Sequence, residues 1–212
     1  MQELLREKEM TAFNDALSSD APAPGGGGAA GQEGAMGTAL IAMVARLTLG
    51  RPKYAQEEAF TMDVIKRADE LRKRFEEAID ADAEVFFRFS DAMKLPKGTE
   101  TEKEARTAKM QACLVDCTEV PLGVLALCLE AAGLAEASVG RTNAGAVSDL
   151  GAAASAILAC AQTAYLNVLI NVRSLHDAGY ADAAGKKAET LLAAVREVTE
   201  RTYGRVTGLL KA

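Results

Sequence analysis

The residues best suited to chemistry are a pair of aspartates and a pair of asparagines. Asp82 falls inside a seam of Ile65, Ala68, Leu71 or Arg72, Phe75, Ile79, Phe86, Phe89 and Met93, stepping by three and four residues. That repeat is one face of a helix. A carboxylate in such a seam leaves water on folding, and burial then forces it to find donors or raises its pKa. A carboxylate of raised pKa can take a proton from water at neutral pH; the competing reading is a structural hydrogen bond to a neighbouring helix. Asp80 lies roughly 160° away around the same helix, at the other margin of the stripe with Ala83 and Phe87. Asn167 and Asn171 are four apart in an otherwise apolar run, so they share a face. Their amides need partners there, from other helices or from a polar ligand.

Two glycine-bearing segments could hold a ligand beside them. Residues 20–31 read DAPAPGGGGAAG. The prolines stop a preceding helix, the four glycines Gly25, Gly26, Gly27 and Gly28 free the backbone for positive φ, and an apolar helix follows. Free N–H groups at that helix start favour an anion. The alternative is a close-packed turn between helices. No Gly-Lys-Ser/Thr follows and no strand precedes, which excludes a P-loop and a dinucleotide fingerprint. The second segment, Gly-Arg-Thr-Asn-Ala-Gly-Ala with Asn143 at its centre, closes on Ser148 and Asp149. Ser148 suits an N-cap and Asp149 the positive end of a helix, so this pair reads equally as structure or as site.

The elements that must position these groups are all helical. Helices are expected over residues 3–18, 29–49, 54–93, from the Thr99/Glu102 and Thr101/Glu104 capping boxes to Pro121, on through 122–137 after a kink, 150–172 and 182–210. The third would be about 60 Å long if continuous. Hydrophobic residues are 49% of the chain but aromatics only 5%, with no Trp, so the core is built from Ala, Leu, Val and Met. The expected architecture is an all-α multi-helix bundle with one long helix, in a single domain spanning 1–212.

Composition also removes function classes. Net charge is −6 with no long basic run, which argues against nucleic acid or an anionic membrane as partner. Cys113, Cys117, Cys128 and Cys160 lack zinc spacing and His176 is the single histidine, so no metal site is expected and the cysteines read as small buried groups. Residues 150–172 carry no charge and are long enough to span a bilayer, but Ser155, Gln162, Thr163, Asn167 and Asn171 fit a helix buried in a bundle better. The N-terminus has no apolar signal region, so a cytoplasmic, reduced setting is expected.

Several short motifs occur in order over roughly residues 10–180: Pro24-Gly25-Gly26-Gly27, Asp80-Ala81-Asp82-Ala83, Leu95-Pro96-Lys97, Arg106, Val120-Pro121-Leu122, Asn143 with Ser148-Asp149, and Asn167-Val168 with Asn171. Together they resemble the C-terminal domain of formiminotransferase-cyclodeaminases and stand-alone methenyltetrahydrofolate cyclohydrolases. Gly28 stands where that family often has Ser.

The resemblance implies a helical homodimer that binds tetrahydrofolate derivatives, with no cofactor beyond that substrate. Two reactions go with the family: hydrolysis of the 5,10-methenyl group to 10-formyl, and closure of 5-formimino to methenyl with loss of ammonia. Asp82 is then the expected base. Asp80 or Asp149 would hold the guanidine-like edge of the pterin, with these roles open to exchange. Asn143, Asn167 and Asn171 would orient the water or the ring carbonyl, and the loop Gly25 to Gly28 with Lys53 would receive the glutamate tail. Cyclohydrolase is the expected activity, because 212 residues leave no room for a formiminotransferase domain. Cyclodeaminase activity and folate binding without turnover are the alternatives.

Overall fold

A computed structural model describes residues 5–7 and 9–212. Six α-helices follow one another, α1 (Met10–Leu17), α2 (Gly26–Arg46), α3 (Glu58–Met93), α4 (Glu100–Ser138), α5 (Val147–Val172) and α6 (Ala178–Lys211), with no strand among the described residues. Short 3-10 turns occupy Leu5–Glu7, Pro52–Glu57 and Ala144–Ala146. The expected helix over 3–18 is thus broken into a turn and α1; Glu3, Leu4 and Lys8 lie outside the described residues.

The bundle is organised around α2, which packs against α3 on one side and α5 on the other, with α4 closing over α3 and α5 and α6 flanking α4 and α5. Small residues make this possible. A Cβ on Gly31 would lie 2.6 Å from Ile79 Cγ1, one on Gly34 2.4 Å from Phe75 Cδ1, and one on Gly37 2.9 Å from Ile157 Cγ1. These glycines let side chains of α3 and α5 lie directly against the backbone of α2.

That close approach also corrects the expected start of α2. The helix begins at Gly26 rather than at residue 29, and among the described residues positive φ occurs only at Gly50 and Gly140. The glycine run is therefore mostly a first helical turn, selected for how closely a neighbour can come rather than for left-handed backbone.

Other boundaries follow local chemistry. Thr99 and Glu102 form a complete capping box that starts α4. α4 then runs through Pro121 as one helix rather than as two. Ser148 does not cap α5: the helix begins at Val147, leaving Ser148 and Asp149 in its first turn. Asp177 caps α6 by accepting from the Tyr180 N–H at 2.9 Å, four residues earlier than the pattern suggested. Both Glu100–Ser138 and Ala144–Val172 are long and apolar enough to cross a membrane. In α5 that character matches its surroundings, since Leu150, Ile157, Cys160, Ala161 and Val168 are fully buried among α2, α4 and α6.

Candidate active site

A cleft of about 380 Å³ opens where the N-terminus of α2 meets the C-terminal third of α3, the middle of α4 and the end of α5. The volume suits a small-molecule ligand. Asp82 is the single charged residue lining it among the described residues. Gly25, Gly26, Gly27, Asn167 and Asn171 line it too, while Val85, Phe86, Phe89, Leu114 and Ile170 make its apolar walls.

Asp82 is held against the start of α2. A Cβ on Gly27 would fall 2.0 Å from its Oδ1, so only glycine leaves the carboxylate its place. Burial raises its pKa above the ordinary value of 3.8, and the Gly28 N–H, donating to the carboxylate, offsets part of that rise. The helix start therefore receives an anion, as the glycine run suggested, but the anion is the protein's own carboxylate.

The asparagines stand across from it on α5. Asn167 Nδ2 donates to the Thr163 carbonyl at 2.9 Å, and a Cβ on Gly26 would come within 3.3 Å of that nitrogen. Asn171 Nδ2 donates to the Cys117 carbonyl of α4 at 2.7 Å. Each amide nitrogen commits one N–H to the protein, and no described residue donates to either amide oxygen, which leaves two oxygens as acceptors. The Cys117 thiol, also at the cleft, donates to the Val85 carbonyl at 3.5 Å, and burial pushes its pKa up to about 11. It is a neutral group at physiological pH.

Five of the residues singled out in the sequence lie elsewhere in the chain. Asp80 turns to the N-terminal segment, accepting from the Leu5 N–H at 2.8 Å and pairing with Arg6 at 3.4 Å. Lys53, Asn143, Ser148 and Asp149 are grouped at the far end of α2, which its 21 residues separate from the cleft by about 30 Å. There the Asn143 N–H donates to Thr48 Oγ1 at 2.8 Å and its Nδ2 to the Leu47 carbonyl at 3.3 Å, while its Oδ1 accepts from the Gly145 N–H at 3.0 Å. Lys53 lies over the Tyr54 ring at 5.5 Å. Within one chain, then, Lys53 does not stand beside the glycine run.

The sequence reading missed the walls. Phe86 and Phe89 were counted as core because they continue the seam, yet Phe86 is 39% exposed and both face the cleft. Their positions four and seven residues after Asp82 were the available signal. No cluster of three or more metal-ligating side chains occurs among the described residues.

The family model described as formiminotransferase-cyclodeaminase matches residues 9–190. The chain belongs to the formiminotransferase-cyclodeaminase family. Among its relatives, it is 41% identical to a methenyltetrahydrofolate cyclohydrolase of Methylorubrum extorquens, over 92% of this chain and 93% of that one. It is 30% identical to a formimidoyltransferase-cyclodeaminase of Sus scrofa over 90% of this chain, spanning 35% of that longer protein. The crystal structure of a formiminotetrahydrofolate cyclodeaminase from Thermotoga maritima shares the fold, with a TM-score of 0.88, 24% identity, and coverage of 97% of this chain and 99% of that one.

Proposed function

We propose that the protein is a methenyltetrahydrofolate cyclohydrolase, converting 5,10-methenyltetrahydrofolate and water to 10-formyltetrahydrofolate and a proton. The observation that carries the reading is the electrostatic character of the cleft: one carboxylate, amide oxygens, and no lysine, arginine or histidine among the described residues that line it. Such a lining favours a cationic, donor-bearing ring, and the methenyl group is an amidinium cation. The full-length similarity to a cyclohydrolase supports the same choice over ammonia release.

Asp82 acts as the base. Its ionised carboxylate takes a proton from water as the oxygen bonds to the amidinium carbon between N5 and N10. The tetrahedral carbon then expels N5, which receives the proton held by Asp82, while the hydroxyl proton leaves to solvent as the formyl carbonyl forms on N10. Burial favours this step because it makes Asp82 more basic than a solvated aspartate. Asn171 Oδ1 orients the water, Asn167 supports the ring edge, and Phe86 and Phe89 contact the flat face of the pterin. The reaction needs no cofactor beyond the substrate.

We further propose a homodimer. Met36 and Met43 of α2, Leu47 directly after it, and Leu166 and Ile170 of α5 are exposed apolar residues on or beside two adjacent helices, a surface that a second copy would cover.

The test is to mix the protein with 5,10-methenyltetrahydrofolate and follow loss of the conjugated absorbance against the uncatalysed rate. Acceleration supports the reading. No acceleration, with ammonia released from 5-formiminotetrahydrofolate, replaces it with the cyclodeaminase; silence in both assays leaves a folate-binding protein without turnover.

A further inference from the structure

The geometry points to Pro121 as a positioning residue for this site, acting through Asn171; the inference rests on the cyclohydrolase reading for its kinetic consequence only. α4 continues through Pro121 without interruption. In a helix the carbonyl of residue i accepts from the N–H of residue i+4, and proline has no N–H. The carbonyl left without its helical donor is that of Cys117, four residues earlier. Asn171 Nδ2 reaches this same carbonyl from α5 at 2.7 Å.

The consequence lies in the orientation of the amide. A carbonyl oxygen only accepts, so Asn171 must present its nitrogen to α4, and its Oδ1 is turned the other way. Asn171 lines the cleft, and no described residue donates to that oxygen. The missing N–H of Pro121 thereby fixes which atom of Asn171 meets the substrate: an acceptor for a hydrogen of the attacking water. Cys117, Asn171 and Asp82 all line this cleft, so the Asn171 anchor and the base share it.

With a residue other than proline at 121, a helical N–H competes for the Cys117 carbonyl and draws it back toward the helix axis. The Asn171 amide then loses its anchor and its preferred orientation. Pro121 also packs behind Asp82, at a small hollow shared with Gly27, Val120, Val124 and Ala164. The test must separate this packing from the hydrogen-bond effect.

Pro121→Val keeps most of the ring's volume and restores the N–H; Pro121→Ala restores it and leaves a void. Both variants should lower kcat about tenfold with KM within about twofold; the unfolding temperature should hold or rise in Pro121→Val, because α4 gains a hydrogen bond, and should be lower in Pro121→Ala than in Pro121→Val because of the void. In an Asn171→Ala background the Pro121→Val change should alter kcat by less than about twofold, since it has nothing left to act through. The side-chain NH₂ resonance of Asn171, assigned in ¹⁵N spectra, should shift in Pro121→Val without any substrate present. A full kcat in Pro121→Val, an undiminished loss in the Asn171→Ala background, or an unmoved Asn171 resonance overturns the inference. If the unaltered protein fails to hydrolyse 5,10-methenyltetrahydrofolate, the functional reading falls, and the resonance alone decides the positioning.

Discussion

At its N-terminal end α2 meets Asp82 and the oxygens of Asn167 and Asn171 around open space; at its C-terminal end it meets Asn143, whose N–H, Nδ2 and Oδ1 are all taken by protein. Both ends combine glycines, an asparagine and an aspartate. What separates them is whether hydrogen-bonding capacity is used up. A satisfied cluster stiffens a loop, whereas a base made stronger by burial beside uncommitted acceptors is held ready for a ligand.

Asp82→Asn is expected to have the largest effect, lowering kcat by about 10²- to 10⁴-fold with the helical fold intact. Its stability should move the opposite way. The folded-state pKa of Asp82 is raised, so the folded protein binds the proton more tightly than the unfolded chain and loses stability as pH rises through that window. The neutral amide avoids this, so Asp82→Asn should melt higher than the unaltered protein at neutral pH, the difference closing below the ordinary carboxylate range. The unaltered enzyme should accordingly lose kcat on the acid side at a pH above 3.8, and an acid limb at or below that value would make Asp82 an ordinary solvated carboxylate. Calorimetry and kcat–pH profiles of the two proteins make both comparisons.

Gly27→Ala comes next. The added Cβ would sit 2.0 Å from Asp82 Oδ1, so the carboxylate must move away from the Gly28 N–H. Displacement of a base by about an ångström lowers kcat on the order of 10²-fold. Gly25→Ala, where a Cβ meets nothing within 4 Å, is the matched control and should change kcat far less. Equal effects at the two positions would mean that the loop's flexibility, rather than the approach of Asp82, is what the glycines provide.

How much of this was legible beforehand differs by residue. Period and capping carry far: the seam through Asp82, the Thr99 capping box and the pairing of Asn167 with Asn171 were readable because helical spacing and local hydrogen bonds are properties of neighbouring residues. The start of α2 was misread because glycine permits both a loop and a close-packed helix, and the choice is made by Asp82, Ile79 and Phe75 from another element. The roughly 30 Å between the cleft and Asn143 was invisible for a related reason: which end of α2 the loop after α4 reaches depends on the direction of packing, not on any local pattern. The bond from Asn171 to Cys117 joins residues 54 apart, so no spacing argument could find it.

The smaller effects test the other end. Asn143→Ala removes the acceptor for the Gly145 N–H and the donor to the Leu47 carbonyl, and should lower unfolding free energy by about 1–3 kcal/mol, read by denaturant titration. Under conditions where the variant is fully folded, its kcat should stay well above that of Asp82→Asn. A folded Asn143→Ala protein as slow as Asp82→Asn would join the two ends of α2 in one site, which at this separation requires the second loop to come from another protomer. Asp80→Asn should do least. Its partners are the Leu5 N–H and Arg6, half-buried groups at the N-terminal edge, and loss of such a surface pairing changes stability by up to about 1 kcal/mol. Two aspartates two residues apart on one helix would then differ in kcat by two orders of magnitude or more, because one points between helices at the cleft and the other at the chain's own beginning.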